Sequence, residues 1–269
     1  MQYDPIKKSL GNLFNRTPFL RILFYKLLDI LLLRTWYVKK EIRKWAKETN
    51  GPVTILDAGS GFGQYSFFIS GMNEHWTIHG VDVKDEQIKD CTDFFSRINR
   101  KNASFEIADL TTYRKAEIYD LVLSVDVMEH ILEDVQVFRN FYQSLAKNGM
   151  LLISTPSDQG GSDVHDHGEE ASFIDEHVRD GYNLSEIQEK LKSAGFTKTD
   201  AYYAYGNPGQ IGWRLSMKYP IMMLNASKLF FIVLPFYYLL TFWATLLFNF
   251  LDLQLKHRSG TGLIVKAWK

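Results

Sequence analysis

The chain has 269 residues, with 31 Lys+Arg against 31 Asp+Glu and a formal net charge of zero. At 46% hydrophobic and 23% charged it reads as globular rather than disordered or fibrous, long enough for one elaborated domain or two small ones. A lone Cys91 excludes a disulfide framework and a cysteine-based zinc site. The zero total hides a segregation: residues 1–50 hold eleven basic and four acidic side chains, residues 206–269 hold seven and one, and the acidic excess lies between. Two basic ends around an acidic centre point to an anionic surface as the partner of the ends. The opening MQYDPIKKSLGN lacks the apolar run and small-residue cleavage site of a signal peptide, so a cytoplasmic chain is expected.

Residues 1–50 form a basic amphipathic zone. Leu20, Leu23, Phe24, Leu27, Leu28, Leu31 and Leu32 recur at helical spacing with Arg16, Arg21, Lys26 and Arg34 between them, and Asn50-Gly51-Pro52 ends the zone as a turn. Across 51–206 short apolar runs alternate with helical patterns. The runs are Val53–Leu56, Trp76–Val81, Ser104–Ile107, Leu121–Val125 and Met150–Ser154, with a weaker one over Thr197–Ala204. Such alternation predicts an α/β fold whose parallel sheet is buried on both faces. Asn183 is placed to cap a late helix that Gly195 closes.

Residues 207–258 are a hydrophobic helical insertion, uncharged from Leu229 to Leu251 and long enough to cross a bilayer. Residues 259–269 read as one more strand after a Gly-rich turn. If that strand joins the same sheet as Thr197–Ala204, a single crossing cannot return the chain. The insertion is then a re-entrant hairpin bent near Asn225 or Pro235, a helix on the membrane surface, a lid, or a homodimer contact. Within it Thr241, Thr245, Asn249, Asp252 and Lys256 form one polar stripe, which lets the helix keep that side on protein or water and press the rest into lipid. Pro235 is expected to break or kink it.

The chemistry-bearing motif begins where the first strand runs into Asp57-Ala58-Gly59-Ser60-Gly61-Phe62-Gly63. Alternate glycines let the backbone turn sharply against a ligand, and the following helix aims its N–H groups there. Gly80-Val81-Asp82 then sets a carboxylate beside the loop, positioned for vicinal ribose hydroxyls. A dinucleotide fingerprint wants a glycine where Gln64 stands, which disfavours a dehydrogenase.

On these residues, with Ala108-Asp109-Leu110, Tyr119-Asp120-Leu121-Val122, Val127-Met128-Glu129-His130-Ile131 and Leu151-Leu152-Ile153-Ser154, the chain resembles the class I S-adenosylmethionine-dependent methyltransferases, in particular the ubiquinone and menaquinone methyltransferase-like group. The resemblance implies a Rossmann-like seven-stranded sheet, mostly parallel with an antiparallel last strand. It implies that Asp57, Gly59, Ser60, Gly61 and Gly63 surround the methionine part of S-adenosylmethionine, that Asp82 holds the ribose, and that Asp109 and Leu110 lie by the adenine. Ser124 and Val125, with Asp126, then border the transferable methyl.

Nitrogen or oxygen acceptors need a general base. The loop after the fifth strand offers His177 first, then His165 and His167, and short His-x-His spacing in an acidic loop fixes no metal geometry, so no metal is expected. The reading is a methyltransferase docked on a membrane at its cytoplasmic face, peripheral or monotopic. Its acceptor is a lipophilic small molecule: a quinone precursor, an aromatic pigment, a polyprenoid or a lipid headgroup. A soluble acceptor, or a non-catalytic cofactor-binding scaffold, is the alternative. No nucleic-acid partner is expected, and a homo-oligomer is compatible with the sequence.

Overall fold

The computed structural model describes residues 17–160 and 178–269. Seven strands, β1 (Thr54–Ala58), β2 (Thr77–Asp82), β3 (Ala103–Ile107), β4 (Tyr119–Val125), β5 (Leu145–Pro156), β6 (Lys198–Ala204) and β7 (Gly262–Trp268), form one sheet in the order β3-β2-β1-β4-β5-β7-β6. All neighbours are parallel except at β7, which runs antiparallel to both β5 and β6. The expected mostly parallel sheet with an antiparallel last strand is the fold observed.

Strand pleating sends successive side chains to opposite faces, and both faces are covered. Val122 joins one cluster with Leu56, Leu151, Phe138 and Phe141, under α5 (Asp134–Ser144) and α6 (Leu184–Ser193). Leu121 and Leu123 join the other, with Ile55, Ile78 and Leu152, under α2 (Leu33–Glu48) and α3 (Gln64–Ser70). Between β2 and β3, α4 (Asp85–Arg97) adds Phe94 and Phe95 to a smaller aromatic cluster. At α6, Asn183 caps as expected, accepting from Ser185 N at 3.0 Å.

The first helix, α1 (Pro18–Leu31), buries a cation and leaves an apolar side outward. Arg21 is only 3% exposed and Tyr25 is buried, whereas Phe19, Leu23, Leu27 and Ile30 face outward. Arg21 is held inside because its guanidinium satisfies Asp90 O at 2.9 Å and Phe62 O at 2.8 Å and lies over the Phe94 ring. A buried charge with these partners is tolerated, and the apolar residues on the opposite side of α1 stay at the surface.

The insertion folds as an antiparallel helical hairpin. One arm comprises α7 (Asn207–Trp213), a π-helical turn over Arg214–Lys218 and α8 (Tyr219–Ala226); the other is α9 (Phe230–Gln254). The chain reverses at Ser227–Leu229, beside Asn225. Pro235 does not break α9: it lies in the second turn, where its missing N–H costs a single helical bond. Pro220 follows the π-helical turn and has no N–H to give it, and the hydroxyls of Tyr237 and Tyr238 across the hairpin donate to Leu215 O and Ser216 O at 2.7 and 2.8 Å.

Thr245, Asn249 and Asp252 are the buried side chains of α9, so the polar stripe faces the protein. Gly209 and Gly212 of α7 make room for it: a Cβ on Gly209 would lie 2.7 Å from Asp252 Oδ2, and one on Gly212 2.5 Å from Asn249 Oδ1. Asp252 is fully buried, accepting from the Tyr37 hydroxyl at 2.7 Å and from Gly209 N at 2.8 Å, with His257 Nε2 3.3 Å away. Asp252→Ala takes the acceptor from Gly209 N and leaves the Tyr37 hydroxyl and His257 Nε2 only the Asp252 carbonyl, 2.9 Å from each, and is expected to destabilise the protein by about 2 kcal/mol, against about 1 kcal/mol for Tyr37→Phe. Urea unfolding monitored by circular dichroism measures both, and the double variant is expected to show less than the sum.

Candidate active site

Backbone bonding fixes the glycine loop after β1. Gly59, Gly61 and Gly63 all have positive φ, at 78°, 50° and 72°. At Gly59 a Cβ would drive into the Val127 side chain, so the loop lies against the β4 crossover only because glycine stands there. Gly59 N and Ser60 N both donate to Val81 O, at 2.8 and 2.9 Å, which ties the loop to the end of β2. Register completes the convergence: Ala58 pairs with Val81 on one side and Ser124 on the other. The C-terminal ends of β1, β2 and β4 therefore meet, where α/β sheets take their ligands.

The acids there are ordered by the backbone. Asp82 accepts from Gly61 N at 3.0 Å and from Lys84 N at 2.9 Å, which fixes its carboxylate beside the loop. Asp57 is buried beneath the loop and accepts from Ser66 N at 3.1 Å and Ser66 Oγ at 2.6 Å. Burial pushes its pKa up to about 6, with those two bonds opposing the rise. Asp109 is exposed past β3 and accepts from Thr111 N and Oγ1 through one oxygen, at 2.8 and 2.7 Å. Leu110 is buried in the apolar cluster with Val81 and Met128, and its carbonyl accepts from Asn140 Nδ2 at 2.9 Å. Val125 is half-buried at the end of β4.

Two hydroxyls in this convergence, Ser60 Oγ and Ser124 Oγ, are buried with no hydrogen-bond partner in the protein. A buried hydroxyl without a partner costs free energy, and both lie where a ligand's polar atoms would meet them. With the glycine cradle and Asp82, these residues fit a nucleoside cofactor with a charged tail.

Past the end of β4 stand Arg34, Tyr65 and Tyr205, which the sequence reading did not assign, beside Asp126, which it set at the transferable methyl. Arg34, from the N-terminal α2, forms an ion pair with Asp126, and both are about one-third exposed. Asp126 has φ 51° and Tyr205 has φ 56°, left-handed conformations that cost energy outside glycine. Arg34 N donates to the Tyr205 hydroxyl at 2.8 Å, and the buried Tyr65 hydroxyl lies by Arg34 and Thr35. Glu129 is also buried, its pKa raised by burial, and accepts from Thr155 Oγ1 at 3.1 Å. Arg34 sits in a zone read as membrane-facing, and the tyrosines carry no spacing signal. The candidate bases His165, His167 and His177 lie outside the described residues. Among the described residues no cluster of His, Cys, Asp and Glu suits a metal ion.

The raised pKa of Asp57 sets a sign for stability. A carboxyl near 6 in the folded chain and near 3.8 unfolded contributes stability that is full below about pH 4 and lost as pH rises through 6. Asp57→Asn is therefore expected to match the cofactor-free wild type at pH 4 and to exceed it by about 2 kcal/mol at pH 8. Paired urea unfolding curves across that range measure the difference.

Comparison with known proteins agrees with this geometry. A family model described as a methyltransferase domain matches residues 50–205. Phosphoethanolamine N-methyltransferase 1 of Triticum aestivum is 30% identical over 146 residues, covering 53% of this chain and 28% of that protein. Malonyl-[acyl-carrier protein] O-methyltransferase of Bacillus cereus is 29% identical over 113 residues, 42% of this chain and 41% of that one. The chain thus spans less than half the length of these curated relatives. Among solved structures, Haemonchus contortus phosphoethanolamine N-methyltransferase 2 in complex with S-adenosyl-L-methionine shares the fold, with TM-score 0.59 and 18% identity over 87% of this chain and 52% of that one. With the family model covering more than half of its length, the chain belongs to the methyltransferase-domain family, the class I S-adenosylmethionine-dependent methyltransferases.

Proposed function

We propose that this chain binds S-adenosylmethionine at the glycine loop and transfers its methyl group to a lipophilic acceptor resident in a membrane on which the protein docks. For the cofactor, the carrying observation is the pair of partnerless buried hydroxyls, Ser60 and Ser124, flanking the cradle of Gly59, Gly61 and Gly63. In this reading Asp82 accepts from the ribose hydroxyls, Asp57 balances the charged methionine end, and the free oxygen of Asp109 faces the adenine amine. The cofactor supplies an electrophilic methyl on a positively charged sulfur. Val125 and the end of β4 keep water from the transfer line, and alignment of the acceptor does much of the rest.

For the membrane, the carrying observation is the exposed apolar side of α1 together with the outer face of α9. Phe231, Ile232, Phe236, Leu239, Leu240 and Trp243 face outward, Leu240 being 81% exposed. Among the described residues α9 is the one helix long and apolar enough to cross a membrane, at about 37 Å, yet its inner stripe is committed to α7 and the core. Such a helix lies along a leaflet rather than through it. Lys218 and Lys228 precede it and Lys256 and Arg258 follow, as an anionic surface favours.

The acceptor classes are a quinone precursor, an aromatic pigment, a polyprenoid or a lipid headgroup. The half-exposed Arg34–Asp126 pair favours the headgroup, because it offers both signs of charge to one polar ligand. The same pair favours, as the second reading, a soluble charged acceptor of the kind named for the phosphoethanolamine methyltransferases. His177, His165 and His167 remain the proposed bases; Val178 N donates to Glu129 O at 3.0 Å, which brings the residue next to His177 to the acceptor side.

Calorimetric titration with S-adenosylmethionine is expected to show binding that Asp82→Ala weakens by about a hundredfold, as loss of a charged hydrogen-bond acceptor does. No binding by the wild type would sink the cofactor reading and leave a scaffold. Flotation with lipid vesicles is expected to carry the wild type, and Leu240→Glu/Trp243→Glu is expected to stay behind. A wild type that ignores vesicles and sediments as a homodimer would instead assign the apolar face to a second copy.

A further inference from the structure

Beside α2 there is a cleft of about 240 Å³, lined by Thr35, Trp36, Lys39, Lys40 and Arg43, with Asp29 of α1 and Leu253 of α9 at its sides. Three cations and one carboxylate line it, and the carboxylate is already committed. Asp29 takes Gln64 Nε2 on Oδ1 at 2.8 Å and pairs with Lys39 through Oδ2. The other two cations are less engaged. Lys40 Nζ donates to Leu253 O at 2.8 Å, which leaves two of its protons, and the guanidinium of Arg43 lies 5.1 Å from the centre of the Phe68 ring. Both face a cleft whose described lining sets three cations against the one carboxylate of Asp29. Burial holds the Lys39 and Lys40 pKa values below the ordinary lysine range, with Asp29 opposing the fall at Lys39.

The position selects the ligand. Ile30 and Leu27 of α1 and Leu251 and Leu255 of α9 are exposed on the elements that flank the cleft. Trp36 lines it with its ring and donates Nε1 to Ile30 O at 3.3 Å, an apolar body with a polar tip of the kind favoured at a membrane–water boundary. A fork of guanidinium and ammonium beside apolar surface suits a phosphate that carries acyl chains.

We propose that this cleft binds the phosphate of an anionic phospholipid headgroup and so fixes how the protein sits on the bilayer; the proposal rests on the membrane reading above. Lys40 and Arg43 hold the phosphate oxygens, Lys39 adds charge from behind, and the acyl chains run over the outer faces of α1 and α9. Asp29 joins the cleft to Gln64, the first residue after the glycine loop, so the headgroup site and the cofactor loop share one hydrogen-bonded edge.

The test uses the full chain and vesicles of phosphatidylcholine with and without phosphatidylglycerol. Lys40→Gln/Arg43→Gln is expected to lose about tenfold or more in affinity for the anionic vesicles, and to match the wild type on phosphatidylcholine alone. Lys26→Gln/Lys256→Gln removes equal charge from the same apolar surroundings outside the cleft and is expected to lose clearly less. Equal losses in the two double variants would reduce the attraction to diffuse charge and overturn the cleft. A wild type that binds both vesicles equally would overturn the cleft and leave the membrane reading standing, whereas one that binds neither would overturn both. Calorimetry with inorganic phosphate supplies the last arm: tight binding that the cleft variant abolishes, without any preference for anionic vesicles, would assign the cleft to a free phosphate and overturn the lipid.

Discussion

Asp252 places a carboxylate where water is excluded, and Tyr37, Gly209 N and His257 from three parts of the chain close around it. An ionised group in such a place is tolerated only with its partners present, so the contact holds α2, α7 and α9 to one arrangement. It also orients α9. Once Asp252 and Asn249 point inward, helical geometry turns Leu240, Trp243 and Leu247 outward, and no rotation of the helix hides them without exposing the stripe. The apolar surface is thus a consequence of a polar commitment.

A similar trade shapes the N-terminal helices. Arg21 and Tyr25 reach inward to Phe62 of the glycine loop, and α1 gives its outer side to Phe19, Leu23, Leu27 and Ile30. One residue after the α1–α2 junction is passed, Arg34 reaches the acceptor side and pairs with Asp126. Of the helices that present apolar surface, α1 therefore braces the glycine loop, and the adjoining α2 carries Arg34 to Asp126. In a protein that works at a bilayer this couples docking to the site through a few side chains. The opposed charges of the chain divide accordingly, with the acids in the sheet that carries the glycine loop and the excess of cations in the zones that bear the apolar faces.

Much of this was legible in the amino-acid order, because it depends on local pattern. Alternating apolar runs named every strand, and the spacing of Gly59, Gly61 and Gly63 against Asp82 named the loop and its acid. The polar stripe of α9 named the side that meets the protein. What was not legible depends on partners far away in sequence. Nothing near Arg21 says that Phe62 O and Asp90 O will receive it, so its place inside the protein was not legible in α1. Arg34 could not be placed beside Asp126, 92 residues on, and the turn at Pro220 needed Tyr237 and Tyr238 from the opposite arm to make sense of it. Pro235 shows the converse: a residue with a strong local rule proved harmless because it lies close to the helix start.

The central claim is that the chain methylates something held in a membrane. Incubating it with S-adenosylmethionine labelled on the transferable methyl, together with vesicles made from a total membrane lipid extract, and then separating organic from aqueous phases, tests that claim directly. Label is expected in the organic phase, in a product that does not form when the outer face of α9 carries Leu240→Glu/Trp243→Glu. Label found only in a water-soluble product, or formed equally well by that variant, would contradict it.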